Sequence, residues 1–320
     1  MRAIRVAAHG GPEVLRIEEV GDPAPGPGEV VLRIAAAGVN PVEAYLRLGT
    51  HSRAPTLPWT PGSDGAGNVE AVGPDVRDLA PGDRVYTAGS LSGTYAERAL
   101  CRADQVHALP ERLSFAEGAG IHVPYATAWR ALHGKARARA GEVLLVHGAT
   151  GGVGIAAVQM GLATGMTVVA TGGSERGREL ARAQGAHVVL DHGVPGHLDG
   201  IPALTGGRAP DVILENLADR NLEGDLRAAA PFARIVVVGS RGRIEIDPRD
   251  AMTRDLTVMG ISLFNLAREE LAAIHGEIGK GLAAGILRPV VGREFPLAEA
   301  PAAHAALMEP GARGKLVLIP

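Results

Sequence analysis

The chain has 320 residues, 46% of them hydrophobic and 21% charged, a composition that fits about two folded domains and excludes wholesale disorder. Its formal net charge is −3, so no general basic field is available to hold nucleic acid or an anionic membrane. The single cysteine, Cys101, excludes an intramolecular disulfide, a paired-cysteine redox motif and a multi-cysteine zinc site, and it fits a cytoplasmic setting.

Arg5, His9 and Glu13 interrupt the opening segment, so no secretory leader is expected there. Glycine and proline punctuation then predicts short strands over 3–7, 15–19, 30–36, 69–72, 84–86 and 95–101, with one helical turn at 42–47. This portion reads as β-rich. The rhythm changes near residue 116. Residues 115–134 read as helical with a break near Pro124, and strand and helix then alternate. Strands are expected at 143–147, 167–170, 187–190, 212–215, 235–238 and 256–259, and helices at 153–164 and 175–184. Such alternation favours a parallel sheet covered by helices on both faces. After a helix at 268–284 the pattern turns β again at 293–295 and 315–319, as if the chain returned to its first module.

Residues 143–174 carry no Asp, Glu, Lys or Arg, long enough to cross a bilayer. Eight glycines in that stretch would break a spanning helix. A buried strand, a tight turn and a helix are expected instead, with no membrane partner. The turn is His147-Gly148-Ala149-Thr150-Gly151-Gly152-Val153-Gly154. A strand, a glycine-rich turn and a helix N-terminus together let a backbone approach a pyrophosphate and offer it N–H donors. The following strand ends in Gly172-Gly173-Ser174 without the carboxylate that usually grips the 2′-hydroxyl of NAD. Ser174, Arg176 and Arg178 follow, which favours NADPH; Glu175 beside them opposes it.

Five segments carry a resemblance: GGPEVL at 10–15, AGVNPVEAYLRLGT at 37–50, PGSDGAG at 61–67, VHGATGGVG at 146–154 and VVVGSRGRIEIDPRD at 236–250. Through them the chain is similar to the medium-chain dehydrogenase/reductase superfamily, and within it to the zeta-crystallin-like quinone oxidoreductases, over its whole length. The resemblance implies an α/β fold: a Rossmann doubly wound parallel sheet at 124–265 plus a β-rich GroES-like catalytic domain built from 1–123 and 266–320. Zinc members of the superfamily carry metal-binding cysteine and histidine where this chain has Asn40 and Ser63, and a glutamate at Asp64. No metal is therefore expected. Without a Lewis acid, hydride transfer suits an electron-poor acceptor, a quinone or a conjugated enone.

The resemblance also implies residue roles. Asn40, Tyr45, His51 and Thr127 would form the catalytic side of the cleft, with Asn40 donating to the acceptor oxygen or serving only as a turn residue. Tyr45, Thr127, Thr150, Gly151, Gly152, Val153, Gly173, Ser174, Arg176, Arg178 and His192 would bind the cofactor, as would Asn221, Val238, Gly239, Ser240, Arg241, Ile261, Ser262 and Leu263. Lys315 either reaches the cofactor or lies in solvent. Asp191 stands where relatives have asparagine and Gly177 where bacterial relatives have lysine, so Arg176 or Arg178 must substitute. Relatives assemble as homodimers or homotetramers, and some bind RNA; the net charge opposes RNA binding here.

Overall fold

A computed structural model describes residues 1–309, 311 and 313–320. Its strands form three sheets. Arg2–Val6 and Leu15–Glu19 make a two-stranded antiparallel ribbon. A mixed seven-stranded sheet runs in the order Val291–Pro296, Lys315–Ile319, Glu29–Val39, Asp64–Val72, Arg84–Ala88 and Val106–Ala108, with Arg98–Arg102 also pairing Glu29–Val39. The last strand lies antiparallel to the third, with Leu316 opposite Val39. The chain thus returns to its first module, as its β-type tail predicted.

The other sheet is parallel and six-stranded, in the order Val188–Asp191, Thr167–Gly172, Val143–Val146, Val212–Glu215, Arg234–Val237 and Thr257–Gly260. Strand order reverses between Val143–Val146 and Val212–Glu215, which opens a crevice beyond their carboxyl ends. Val143–Val146 is buried at every residue, as a central parallel strand covered on both faces must be. Helix Gly152–Ala163 follows it and packs closely, because Gly161 lies against Leu144. Among the described residues no helix is long and apolar enough to cross a membrane.

The helix break expected near Pro124 is present, and two elements depart from the sequence reading. The helical stretch from 115 breaks before Pro124, between Phe115–Gly118 and His122–Trp129. Pro124 falls in the first turn of the second helix, where a missing N–H costs nothing. Strand Val106–Ala108 and helix Ala300–Met308 were not anticipated. The strand is only three residues long, and the helix is mostly alanine without a polar stripe to give it period.

Candidate active site

A cleft of about 1870 Å³ lies between the carboxyl ends of the parallel sheet and the open end of the mixed sheet. The glycine loop forms one wall. Gly148 takes φ +61°, and a Cβ on Gly154 would sit 2.2 Å from Gly148 O, so the turn closes only with glycine at both places. The N-terminus of helix Gly152–Ala163 has no side-chain cap and no acidic residue in its first turn. Its open N–H groups and positive dipole end are free for an anion.

Of the residues singled out by sequence, Asn40, Tyr45, His51 and Thr127 all line this cleft. So do Thr150 through Val153, Gly173, Ser174, His192, Val238 through Arg241, Ile261 through Leu263 and Lys315. Arg176, Arg178 and Asn221 do not. Asn221 turns inward and donates from Nδ2 to Glu215 at 3.1 Å. Arg176 is exposed. Arg178 is held by Asp191 at 2.6 Å and Glu175 at 2.6 Å. At the tip of the second strand Gly173 presses against His192, whose Nε2 would be 2.4 Å from a Cβ there. Ser174 caps helix Glu175–Ala183 by accepting from Gly177 N at 3.2 Å. His51 faces Phe264 across the cleft mouth, with ring centroids 5.3 Å apart.

The floor is polar and buried. Asn40 ends strand Glu29–Val39 and starts helix Pro41–Leu48, with Pro41 in the first turn. Glu43 reaches back to accept from Asn40 N at 2.5 Å and also accepts from Ser63 N at 3.0 Å, the reciprocal half of a capping box. Burial raises the Glu43 carboxyl to about 7, against the lowering pull of the Lys315 ammonium. Lys315 is buried rather than solvated: its Nζ donates to Asp64 Oδ2 at 2.6 Å and to Asn40 Oδ1. Asp64 Oδ1 accepts from Val123 N at 2.9 Å, in the first turn of His122–Trp129. Asn40 Nδ2 is engaged as well, with Glu43 Oε1 and Asp64 Oδ2 both at 3.2 Å. Its amide therefore braces the floor instead of pointing a free donor at an acceptor.

Two further clusters had no sequence signal, because their members lie far apart in the chain. His122 Nδ1 pairs with His275 Nε2 at 3.0 Å, His275 Nδ1 with Tyr86 Oη at 3.0 Å, and His107 stacks on His275 at 4.5 Å. Burial drives His275 down to about 2 and His107 to about 4, so both are neutral near pH 7. Beneath the glycine loop His147 Nε2 lies 2.7 Å from Asp225 Oδ1 and 3.7 Å from Glu215 Oε2. These three groups could also converge on a metal ion. Burial raises Glu215 to about 8 and Asp225 to about 7, so protons held on the carboxyls satisfy the cluster equally well.

Family models match both parts of the chain: an alcohol dehydrogenase GroES-like domain over residues 26–111 and a zinc-binding dehydrogenase over 152–278. The chain is 46% identical to a quinone oxidoreductase of Rattus norvegicus, covering 100% of this chain and 98% of that protein. In structure it is similar to an NAD-dependent alcohol dehydrogenase, with TM-score 0.93, 32% identity and 100% of both chains covered. It is also similar to the Escherichia coli quinone oxidoreductase complexed with NADPH, with TM-score 0.88, 28% identity and 100% of both chains covered.

Proposed function

This chain belongs to the zeta-crystallin-like quinone oxidoreductases of the medium-chain dehydrogenase/reductase superfamily, and from that premise we propose that it reduces quinones with NADPH by direct hydride transfer. The observation that carries the reading is the cleft itself. An uncapped helix N-terminus and a glycine loop face a pocket whose far tip offers Ser174 and His192 and no carboxylate of its own. Those residues fit a dinucleotide with a 2′-phosphate. Thr150 through Val153 take the pyrophosphate, Ser174 and His192 the 2′-phosphate, Val238 through Arg241 the wall behind it. Thr127 and Ile261 through Leu263 flank the nicotinamide. Bound NADPH supplies a hydride to an acceptor lying between Tyr45, His51 and the buried floor. The protein's own contribution is to orient the two reactants and to narrow solvent access at the His51–Phe264 mouth.

Zinc does not fit the floor. Around Asn40 and Asp64 the available groups are an amide, a serine, the Glu43 carboxyl already accepting from Asn40 N and Ser63 N, and a carboxylate already paired with the Lys315 ammonium, and that cation repels a second one. These contacts support a zinc-independent reduction of electron-poor acceptors. The same reading takes 1–123 with 266–320 as the GroES-like catalytic domain and 124–265 as the Rossmann domain. It places the enzyme in the cytoplasm, and its net charge of −3 opposes nucleic-acid partners. It also takes the enzyme as a homodimer or homotetramer. Edge strand Thr257–Gly260 supports assembly, since it leaves Val258 45% exposed beside an unpaired ladder. Sedimentation of Val258→Lys should then show a smaller assembly than the parent.

The test is NADPH oxidation with an ortho-quinone, a para-quinone and a conjugated enone, with NADH run in parallel. Quinone turnover with NADPH is expected. Turnover of the enone alone would make the enzyme an alkene reductase, and a preference for NADH would overturn the cofactor assignment.

A further inference from the structure

Five arginine and lysine side chains line the cleft, Arg5, Arg241, Arg293, Arg313 and Lys315. Lys315 alone among them is buried, at 5% exposure. An ammonium carries three N–H donors. Asp64 Oδ2 at 2.6 Å and Asn40 Oδ1 take two, and the third has no partner among the described residues. The side chain is also held in place. Its Cε lies 2.7 Å from where a Cβ on Gly38 would be, and its Cδ lies 3.9 Å from the same point on Gly152, so the stem is threaded between the mixed sheet and the glycine loop. Two neighbouring groups are already engaged: both amide hydrogens of Asn40 go to carboxylates, and His122 Nδ1 is paired with His275.

We propose that Lys315 is a catalytic residue for conjugated carbonyl acceptors, its third N–H meeting the acceptor oxygen and stabilising the negative charge that develops there. This rests on the quinone reductase reading. As the acceptor gains a hydride, a C–H bond of the reduced cofactor breaks, one new bond to hydrogen forms on the acceptor, and the conjugated electron pair moves onto the carbonyl oxygen. The acceptor is reduced by two electrons and the cofactor is oxidised by the same two. The Lys315 ammonium holds the oxyanion until a proton arrives from water entering the cleft: on that oxygen for a quinone, which becomes a hydroquinone, and on the α-carbon of the enolate for an enone, which becomes a saturated ketone. Lys315 keeps its own proton throughout, with Asp64 as its fixed counter-ion. A buried charged donor at a developing oxyanion is worth roughly 100- to 1000-fold in rate. The benefit is greatest for acceptors that stabilise charge poorly themselves.

The experiment compares the parent with Lys315→Arg, which keeps the charge, and with the double variant Lys315→Met/Asp64→Asn, which removes both members of the pair so that neither is left stranded by the other. Three quantities are read: kcat with a para-quinone and with an enone, the NADPH dissociation constant by fluorescence, and the ionisation of 4-nitrophenol bound to enzyme saturated with NADP+. The parent should hold the probe as phenolate at a pH below its solution pKa, and Lys315→Arg should keep part of that shift. The double variant should lose the shift, lose enone turnover by about 100-fold and quinone turnover by much less, and keep its NADPH affinity. Equal losses with both acceptors and weakened NADPH binding would make Lys315 a cofactor ligand and overturn the proposal. A parent that fails to shift the probe would overturn it too. Should the parent reduce neither acceptor, the quinone reductase reading falls, while the nitrophenolate shift and its loss still decide the role of Lys315.

Discussion

Two ion pairs, one in the cleft floor and one behind the cleft lining, have the same length and opposite characters. Lys315–Asp64 and Arg178–Asp191 both close at 2.6 Å. The first is almost wholly buried, its side chains 5% and 1% exposed, whereas the second leaves Asp191 34% exposed. Water screens the second pair and makes it worth little. The first pair has lost its hydration and depends on its geometry and on every neighbouring hydrogen bond. The cleft floor is consequently intolerant of change, whereas the exposed pair behind the lining is a place where charge is adjustable.

The comparison breaks most directly at Asp64. Asp64→Ala strands the ammonium and frees Val123 N–H, and we expect a loss of about 3–5 kcal/mol, as for other buried pairs broken from one side. Denaturant unfolding measures it; a change below about 1 kcal/mol would mean the floor is wetter than its exposure indicates.

Gly154→Val brings side-chain carbon against Gly148 O, with an overpacking cost of about 1–3 kcal/mol. Opening the loop should weaken NADPH binding by about tenfold or more. Fluorescence titration reads this, and retained affinity would detach the loop from the cofactor.

A third test uses pH. Burial raises Glu215 to about 8, Asp225 to about 7 and Glu43 to about 7, above the ordinary 4.5, 3.8 and 4.5. Over that window the folded chain keeps protons that the unfolded chain has released, so these groups make stability fall as pH rises from about 4.5 to 8. The buried histidines, lowered from 6.5, act the other way, but only below about 6.5. Stability should therefore decline between pH 6.5 and 8, and Glu215→Gln should flatten the decline. A rise across that interval in the parent would contradict the burial of these carboxyls.

The smallest effect belongs to the exposed pair. Asp191→Asn loosens Arg178 for a 2′-phosphate and should lower the KM for NADPH by about two- to fivefold at low salt. The KM for NADH should not change. Equal shifts for both cofactors would show that Arg178 plays no part in phosphate selection.

Much of the fold was legible because its signals are local. The apolar run Val143–Val146, the glycines after it and the alternation that follows each depend on residues within a few positions of one another. Strands at Leu15–Glu19 and Val212–Glu215 and helix Arg268–Ala284 fall where periodicity placed them. Within the site, the glycine turn was legible for the same reason: strand, turn and helix N-terminus form one continuous segment. The ion pair of Arg178 was not legible because Arg178 lies on helix Glu175–Ala183 and Asp191 on strand Val188–Asp191, nor was the bracing of Asn40, because Asp64 reaches it from strand Asp64–Val72.

The sequence by itself thus determined the parallel sheet, the glycine turn and the absence of cysteine ligands, all set by backbone geometry and side-chain type at neighbouring positions. Only the tertiary structure decided the polar chemistry. Lys315 meets Asn40 across 275 residues, His122 meets His275 across 153, and His147 meets Asp225 across 78. Such pairs leave no period in the chain. They form because packing removes water from each group, and a buried donor or charge then requires whichever partner the fold carries to it.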